Sequence, residues 1–438
     1  MAAQTVVSEG IFHGLPTFPE HDGKTYTAIV TGANGITGAH ILRTLVNAPK
    51  RWSRIYALSR KPPTVPLGDR VTFVSVDFLN EPGIIAKTLH ENNVSADFAF
   101  FTSYLQPPPK EGQGLWSDVD EMERVNVSLL SNFLTALTMS RIIPQRFVLQ
   151  TGAKHYGIHL GPPLTPEAET DPRFLAVPNF YYPQEDLLWE WAGIHNVGWN
   201  VTRPGFIVGA VRDAAMNVPY GLALYAAVQK ELGRSVEFPG DVDAWDAENH
   251  MSSAKLIGRH AEWAVLSPQT RNQALNISDG SMFSWGKFFP MLAAAYGIGY
   301  ETPETDDAKF TTVTMPVSPP PRGFGPPGRF RFAWTFEGWA RKPEVRESWA
   351  RLRKREGLVF SRDPFDQRNV KDIFGLLDAA ILAPWGRSMS VTKNRKLGWH
   401  GFVDSAEGIF DSIKEMAEMK MVPMPIKTQD IEVSYHGY

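Results

Sequence analysis

A tyrosine and a lysine are the residues of this chain whose types could carry chemistry. Hydride transfer from a nicotinamide needs a donor to stabilise negative charge on the substrate oxygen. It also needs a nearby cation, which favours the phenolate and lowers its pKa. Such a pair often sits on one helix as Tyr-x-x-x-Lys. No such spacing follows the fifth strand pattern here: Tyr156 is followed four residues later by Leu160, and Tyr181 by Glu185. The pair would have to be assembled from two segments. Lys154, in Leu149-Gln150-Thr151-Gly152-Ala153-Lys154-His155-Tyr156, and Tyr181, in Asn179-Phe180-Tyr181-Tyr182, stand where it would be needed. From the residues alone, a solvent-facing lysine and a core aromatic remain open.

Other chemistries fare worse. His155 and His159 have the spacing of two ligands on a helix, but Gly157 and Gly161-Pro162-Pro163 oppose a helix and no acid accompanies them, so no metal is expected. There is no Gly-x-Ser-x-Gly elbow and no Gly-x-x-x-x-Gly-Lys-Ser/Thr phosphate loop. The chain has 0 cysteines, which excludes disulfides, thiolate catalysis and Cys-ligated metal sites.

The elements that must position the pair begin with Thr27-Ala28-Ile29-Val30-Thr31-Gly32-Ala33-Asn34-Gly35-Ile36-Thr37-Gly38. An apolar run suited to a buried strand breaks into glycines spaced by three, and an amphipathic pattern follows through Leu45. Gly32 permits the tight turn, Gly35 lets a diphosphate approach the main chain, and Gly38 lets helix pack on strand. Free amides at the helix start then face the phosphates. A glycine-rich turn without a ligand is the plainer alternative.

Further strands are predicted at Arg54–Leu58, Val71–Val76, Phe98–Phe101, Arg146–Thr151 and Trp199–Arg203, with a helix over Asp118–Thr138. This alternation predicts an α/β, Rossmann-type doubly wound parallel sheet, with ligands beyond the carboxyl ends of the strands. The second strand ends in Ser59-Arg60-Lys61, a hydroxyl and two cations where an acid would favour a free ribose 2′-hydroxyl. These residues suit a 2′-phosphate instead. Asp77-Phe78 ends the third strand, where the carboxylate could accept from an adenine amino group or simply make a turn. Thr102-Ser103-Tyr104 ends the fourth.

Three segments are expected: an N-terminal surface arm over 1–24, a dinucleotide-binding domain over 25–209, and a smaller, mainly helical substrate lobe over 210–438. Within the lobe, a strand at Gln273–Ile277 is expected to return to the sheet. Met315 to Gly328 is too rich in proline for a helix or central strand and reads as a surface loop between helices.

With 438 residues, 43% hydrophobic and 21% charged, the chain suits a soluble globular protein of more than one lobe. A net charge of −3 gives no basic face for nucleic acid. The opening Met-Ala-Ala-Gln-Thr-Val-Val-Ser-Glu-Gly has neither the basic head nor the apolar stretch of a secretory signal. No apolar run approaches the ~20 residues that span a bilayer, so no membrane is expected. The expected location is cytoplasmic.

Gly152-Ala153-Lys154-His155-Tyr156, Asn179-Phe180-Tyr181-Tyr182 with Glu185-Asp186, Arg203-Pro204-Gly205, Ala244-Trp245-Asp246, Asn276-Ile277-Ser278-Asp279-Gly280 and the C-terminal Trp399-His400-Gly401-Phe402 form a further pattern. From about Thr25 to Pro423, the chain resembles the progesterone 5β-reductase and iridoid synthase family of extended short-chain dehydrogenases. The resemblance implies NADP(H) as cofactor and reduction of the carbon–carbon double bond of an enone or enal. It also implies a catalytic pair split as this sequence requires, Tyr181 and Lys154. Gly32, Asn34, Gly35, Ile36 and Thr37 match the diphosphate turn, Arg60 and Lys61 with Ser59 the 2′-phosphate, and Asp77 and Phe78 the adenine edge. Thr102 and Ser103 fall among the cofactor residues, as do Lys154 and Tyr181. Pro204, Ile207 and Met216 match the nicotinamide side.

Tyr104, Tyr181 and Phe206 are the expected substrate contacts. Two of them depart from the family, Tyr104 standing for its common tryptophan and Phe206 for the asparagine of its Arg-Pro-Gly-Asn. The proline-rich insertion is a third departure. The leading expectation is an NADPH-dependent reductase of a lipophilic, terpenoid or steroid-like enone or enal, with a homodimer left open. The alternatives are a carbonyl reductase, a non-redox cyclase or isomerase, and a non-catalytic NADP-binding regulator.

Overall fold

The computed structural model describes residues 5–18, 24–64, 68–110, 116–212 and 216–426. The expected surface arm is folded where it is seen, as an antiparallel hairpin of β1 (Val6–Glu9) and β2 (Phe12–Pro16). Residues 1–4 and 19–23 of that arm lie outside the described residues. A two-stranded ribbon is marginal alone, and this one borrows support from the C-terminal part of the chain. His13 and Phe402 exchange two backbone hydrogen bonds of 2.9 Å, and Leu15 is buried with Leu256, Trp263 and Trp399.

The strands that follow are β3 (Tyr26–Thr31), β4 (Trp52–Ser59), β5 (Val71–Ser75), β6 (Phe98–Phe101), β7 (Arg146–Gln150) and β8 (Gly198–Pro204). β9 (Phe206–Val208) and β10 (Met251–Ser253) form a separate short parallel pair. β11 (Gln273–Ile277) returns to the edge of the main sheet as expected. That sheet has the order β11-β8-β7-β6-β3-β4-β5 and is parallel throughout.

Side-chain alternation divides each strand between two covered faces. Ile29, Leu58, Phe101 and Leu149 pack under the helices α3 (Val119–Met139) and α4 (Tyr181–His195), while Ala28, Val30, Phe100 and Val148 pack under α1 (Ile36–Val46). The helices of the first half are α1 (Ile36–Val46), α2 (Pro82–Glu91), α3 (Val119–Met139) and α4 (Tyr181–His195).

The second half holds α5 (Val218–Glu231), α6 (Val242–Asp246), α7 (Ala254–Leu266), α8 (Trp285–Tyr296), α9 (Phe336–Ala340), α10 (Pro343–Glu356), α11 (Gln367–Ile381), α12 (Thr392–Lys396) and α13 (Ser405–Glu418). α5 is buried on nearly every side and forms the axis of the lobe. α7, with β11, belongs to the sheet rather than the lobe: a side chain at Gly258 would come within 2.7 Å of the His40 carbonyl of α1. Gly209 is therefore not a clean boundary.

The proline-rich segment is not a loop between helices. It is the tip of an antiparallel hairpin formed by β12 (Thr311–Thr314) and β13 (Arg329–Phe332). Alternation through Phe330-Arg331-Phe332 gives that ribbon one aromatic face, a signal that the adjoining prolines masked. Among the described residues, no helix is long and apolar enough to cross a membrane.

Candidate active site

Beyond the carboxyl ends of β3, β6, β7 and β8 lies a cavity of about 1180 Å³. Its inner end is the glycine turn. Gly32 sits at φ +61°, open only to glycine at low cost, and a Cβ there would lie 2.7 Å from the Thr102 carbonyl. A Cβ on Gly38 would meet the Gly32 carbonyl at 2.3 Å, so the turn tolerates no side chain at either position. Gly35 caps α1 without a side-chain hydrogen bond. Asn34, Ile36 and Thr37 line the cavity beside it. A helix start leaves its first amides without partners, so this groove of bare backbone fits a diphosphate. Gln150 donates to the Thr37 hydroxyl at 2.9 Å and ties β7 to the turn.

The residues expected at the adenosine lie on the neighbouring strand ends, outside the cavity walls. The buried Ser59 hydroxyl donates to the Lys61 carbonyl at 2.7 Å, which turns the chain and leaves Arg60 and Lys61 exposed. Among the described residues, neither cation is paired with an acid. Asp77 accepts the Leu79 amide at 3.0 Å, so it does make a turn. The Phe78 ring is buried against Phe101 and Phe133, leaving its backbone as the part able to meet an adenine. Thr102 donates to the Thr31 carbonyl at 2.7 Å, and with Ser103 and Tyr104 it lines the cavity.

Lys154 lies on a short 3-10 turn, Ala153–Tyr156, just past β7, and Tyr181 opens α4. Both line the cavity. Asn179 brings the two segments together: its side chain donates to the Lys154 carbonyl at 3.0 Å and accepts from the Tyr181 amide at 3.1 Å. The Tyr181 hydroxyl stands 3.0 Å from where a Cβ on Gly152 would be. Burial raises the Tyr181 pKa and lowers that of Lys154 well below 10.5. The expected depression of the phenol by the lysine is therefore not found. The ammonium instead faces the Trp116 indole, 3.1 Å from its centroid, and Trp116 in turn donates to the Tyr104 hydroxyl at 2.9 Å.

Tyr156, the other tyrosine near Lys154, is buried outside the cavity. Its hydroxyl donates to Asn276 at 2.6 Å and accepts from Arg203 at 3.3 Å. Glu185 joins this network, accepting from Arg203 at 2.9 Å and Arg173 at 3.0 Å. Burial alone would raise the Glu185 pKa, but His155, whose Nδ1 stands 3.5 Å from the carboxyl, and the Arg203 charge outweigh it and hold the carboxyl at about 2. The network fastens α4 to β8 and thereby fixes the start of α4.

Pro204, Ile207 and Met216, expected beside a nicotinamide, line the cavity, as does Phe206, an expected substrate contact. Phe206 lies under Arg387, whose guanidinium carbon is 5.0 Å from the ring centroid. Arg387 also donates to the Ala379 and Ala380 carbonyls at 2.9 Å each. Trp116, Arg387 and the hairpin residues Val313, Met315, Phe330 and Phe332 also line the cavity without having been singled out from the sequence, and His159, weighed there only as a metal ligand, lines it too. His159 is itself exposed at the cavity wall, where partial desolvation and then the Lys154 charge lower its pKa and favour the neutral ring. Among the described residues, no group of three His, Asp or Glu side chains could hold a metal ion.

The comparisons agree with this architecture. The short chain dehydrogenase gsfE of Penicillium aethiopicum is 29% identical over 402 residues, covering 91% of this chain and 99% of that protein. The (S)-8-oxocitronellyl enol synthase ISY1 of Nepeta racemosa is 33% identical over 287 residues, covering 62% of this chain and 69% of that enzyme. Bordetella bronchiseptica WbmG, solved in complex with NAD and UDP, shares the fold with a TM-score of 0.54 at 12% identity, over 91% of this chain and 97% of WbmG. Residues 28–314 match the PRISE-like Rossmann-fold domain, and this chain belongs to that family.

Proposed function

We propose that this oxidoreductase of the short-chain dehydrogenase type uses NADPH to reduce the carbon–carbon double bond of a lipophilic enone or enal. The observation that carries the reading is the Tyr181 hydroxyl in the cavity wall, tied through Asn179 to the segment bearing Lys154 and lying near a bare glycine turn. Gly32, Asn34, Gly35, Ile36 and Thr37 would hold the cofactor along that turn, where it would supply a hydride for the substrate's β-carbon. Tyr181 donates a hydrogen bond to the substrate oxygen, and the bond strengthens as that oxygen takes on enolate charge. The raised pKa of Tyr181 suits this role, because it keeps the phenol protonated and so a donor at neutral pH. Lys154 is the cation of the site, and the α-carbon takes its proton from water.

Two observations support the finer parts of the proposal. Arg60 and Lys61, exposed and unpaired with any acid among the described residues, suit the 2′-phosphate of NADPH. Val313, Phe330, Phe332, Leu376 and Leu382 make an apolar wall suited to a lipophilic skeleton. The test is loss of NADPH absorbance with a panel of enones and enals, with the products identified. Saturated carbonyl products support the proposal. Allylic alcohols would make the enzyme a carbonyl reductase, and rearranged products without NADPH loss would make it an isomerase.

A further inference from the structure

The outer half of the cavity is built by residues that no strand of the main sheet supplies. β12 and β13 pair Thr311 with Phe332 and Val313 with Phe330, so these side chains share one face of the ribbon. Val313, Phe330 and Phe332 line the cavity, none of them is fully buried, and the core of the lobe does not include them. The ribbon is pinned at both ends. At its base Ala333 donates to the Pro239 carbonyl at 2.9 Å, and at its tip Arg322 donates to the Pro162 carbonyl at 3.1 Å. Pro321 presses on Gly157, where a Cβ would come within 2.8 Å. The aromatic face is therefore held in place between the lobe and the loop that follows Lys154.

The same half of the cavity has a polar end. Thr335 and Asp378 line it. Asp378 accepts the Phe336 amide at 2.7 Å and the Glu337 amide at 3.0 Å. Burial raises its pKa to about 7, but protonated or ionised the carboxyl has more acceptor sites than these two amides fill, so it keeps capacity for a ligand. Apolar walls leading from the reacting end to spare acceptors describe the shape and polarity of a ligand.

We propose that this outer half is a second subsite. It takes the remote end of an elongated lipophilic substrate that carries a hydroxyl, or another hydrogen-bond donor, far from its reacting double bond. The inference rests on the enone or enal reading only for the place of the reacting end.

Binding of saturated methyl ketones of increasing chain length, with and without a terminal hydroxyl, tests it. The readout is tryptophan fluorescence of the full chain with NADP+ present, which needs no turnover. A buried methylene is worth about fourfold in affinity, so lengthening from six carbons to ten should tighten binding at least tenfold. A terminal hydroxyl on the longer ketone should not weaken it. Replacing both Phe330→Ala and Phe332→Ala should erase the gain with length, and an NADP+ affinity equal to the parent's reports that the variant is folded. Phe330→Leu should retain most of the gain. Affinity independent of length, a tenfold loss on adding the hydroxyl, or an undiminished gain in the double variant would each overturn the subsite. Length-dependent binding without NADPH loss on any enone would sink the proposed reaction and leave the subsite standing; turnover with flat binding would do the reverse.

Discussion

Asn179 hydrogen-bonds the carbonyl of Lys154 at 3.0 Å, and together with the bond from the Tyr182 hydroxyl to the His155 carbonyl at 2.7 Å that contact joins the two segments from which the proposed catalytic pair is assembled. The same side chain accepts from the Tyr181 amide, so removing it frees both partners at once. Asn179→Ala should lower kcat at least tenfold. Its cost in stability should be that of two hydrogen bonds, about 1–3 kcal/mol in total. Steady-state rates and thermal melts check this together; unchanged kcat would show that the pair is held by something else.

Tyr181 and Tyr156 should separate cleanly. Tyr181→Phe removes a donor in the cavity and should slow single-turnover NADPH oxidation by ~10²-fold, with cofactor binding nearly intact. Tyr156→Phe leaves Asn276 and Arg203 short of a buried partner, and should cost on the order of 1–3 kcal/mol of stability with little change in rate. The reverse pattern would mean that the wrong tyrosine is named.

The Lys154 charge should set an alkaline limit on activity. Burial lowers its pKa well below 10.5, so activity that needs the ammonium is lost as pH rises through that depressed value. Lys154→Arg stays charged and should move the alkaline limb of the kcat/KM profile upward, at reduced absolute rate. A limb that does not move in that variant would assign it to another group.

Cofactor choice should follow Arg60 and Lys61. Both are exposed and therefore screened, so replacing them with alanine should weaken NADPH binding about tenfold to a hundredfold and leave NADH unchanged. Calorimetric titration of both cofactors decides it. Equal affinities in the unmodified protein would remove the case for NADPH.

Glu167 predicts how stability varies with pH. It is 1% exposed, and among the described residues neither carboxyl oxygen has a hydrogen-bond partner. Burial raises its pKa from 4.5 to about 7, against the pull of Arg387. Between those values the folded state binds the proton more tightly than the unfolded state. This contribution to stability is therefore present below pH 4.5 and lost as pH rises through 7. Glu167→Gln should remove that slope and gain on the order of 2–3 kcal/mol over the parent above pH 7. Denaturant melts of both proteins across pH 5–8 measure the difference, and parallel profiles would reject it.

What could be read from the sequence was local. The seven strands and the glycine turn show because apolar runs, glycine spacing and helical period are written within a dozen residues. Lys154 and Tyr181 were visible as types and places, but the clamp of Asn179 across 25 positions was not, nor was the contact of Trp116 with Lys154. Arg387 carries no local signal for its place at the cavity, since Phe206 is its neighbour only in the folded chain. Phe330-Arg331-Phe332 did alternate like a strand, but prolines just upstream argued for a loop and won. The turn made by Asp77 shows the opposite difficulty: a cap and a ligand look alike until the hydrogen bond is seen.

The wall made by β12 and β13 leaves the body of the protein and rejoins it within one short excursion of the chain, between Lys309 and Ala333. Inheritance can therefore rewrite it piecemeal. Relatives could trade ribbons and acquire new diets while their cofactor machinery stays as it was, and a breeder of enzymes could graft the same stretch to redirect a reductase without disturbing the step it performs.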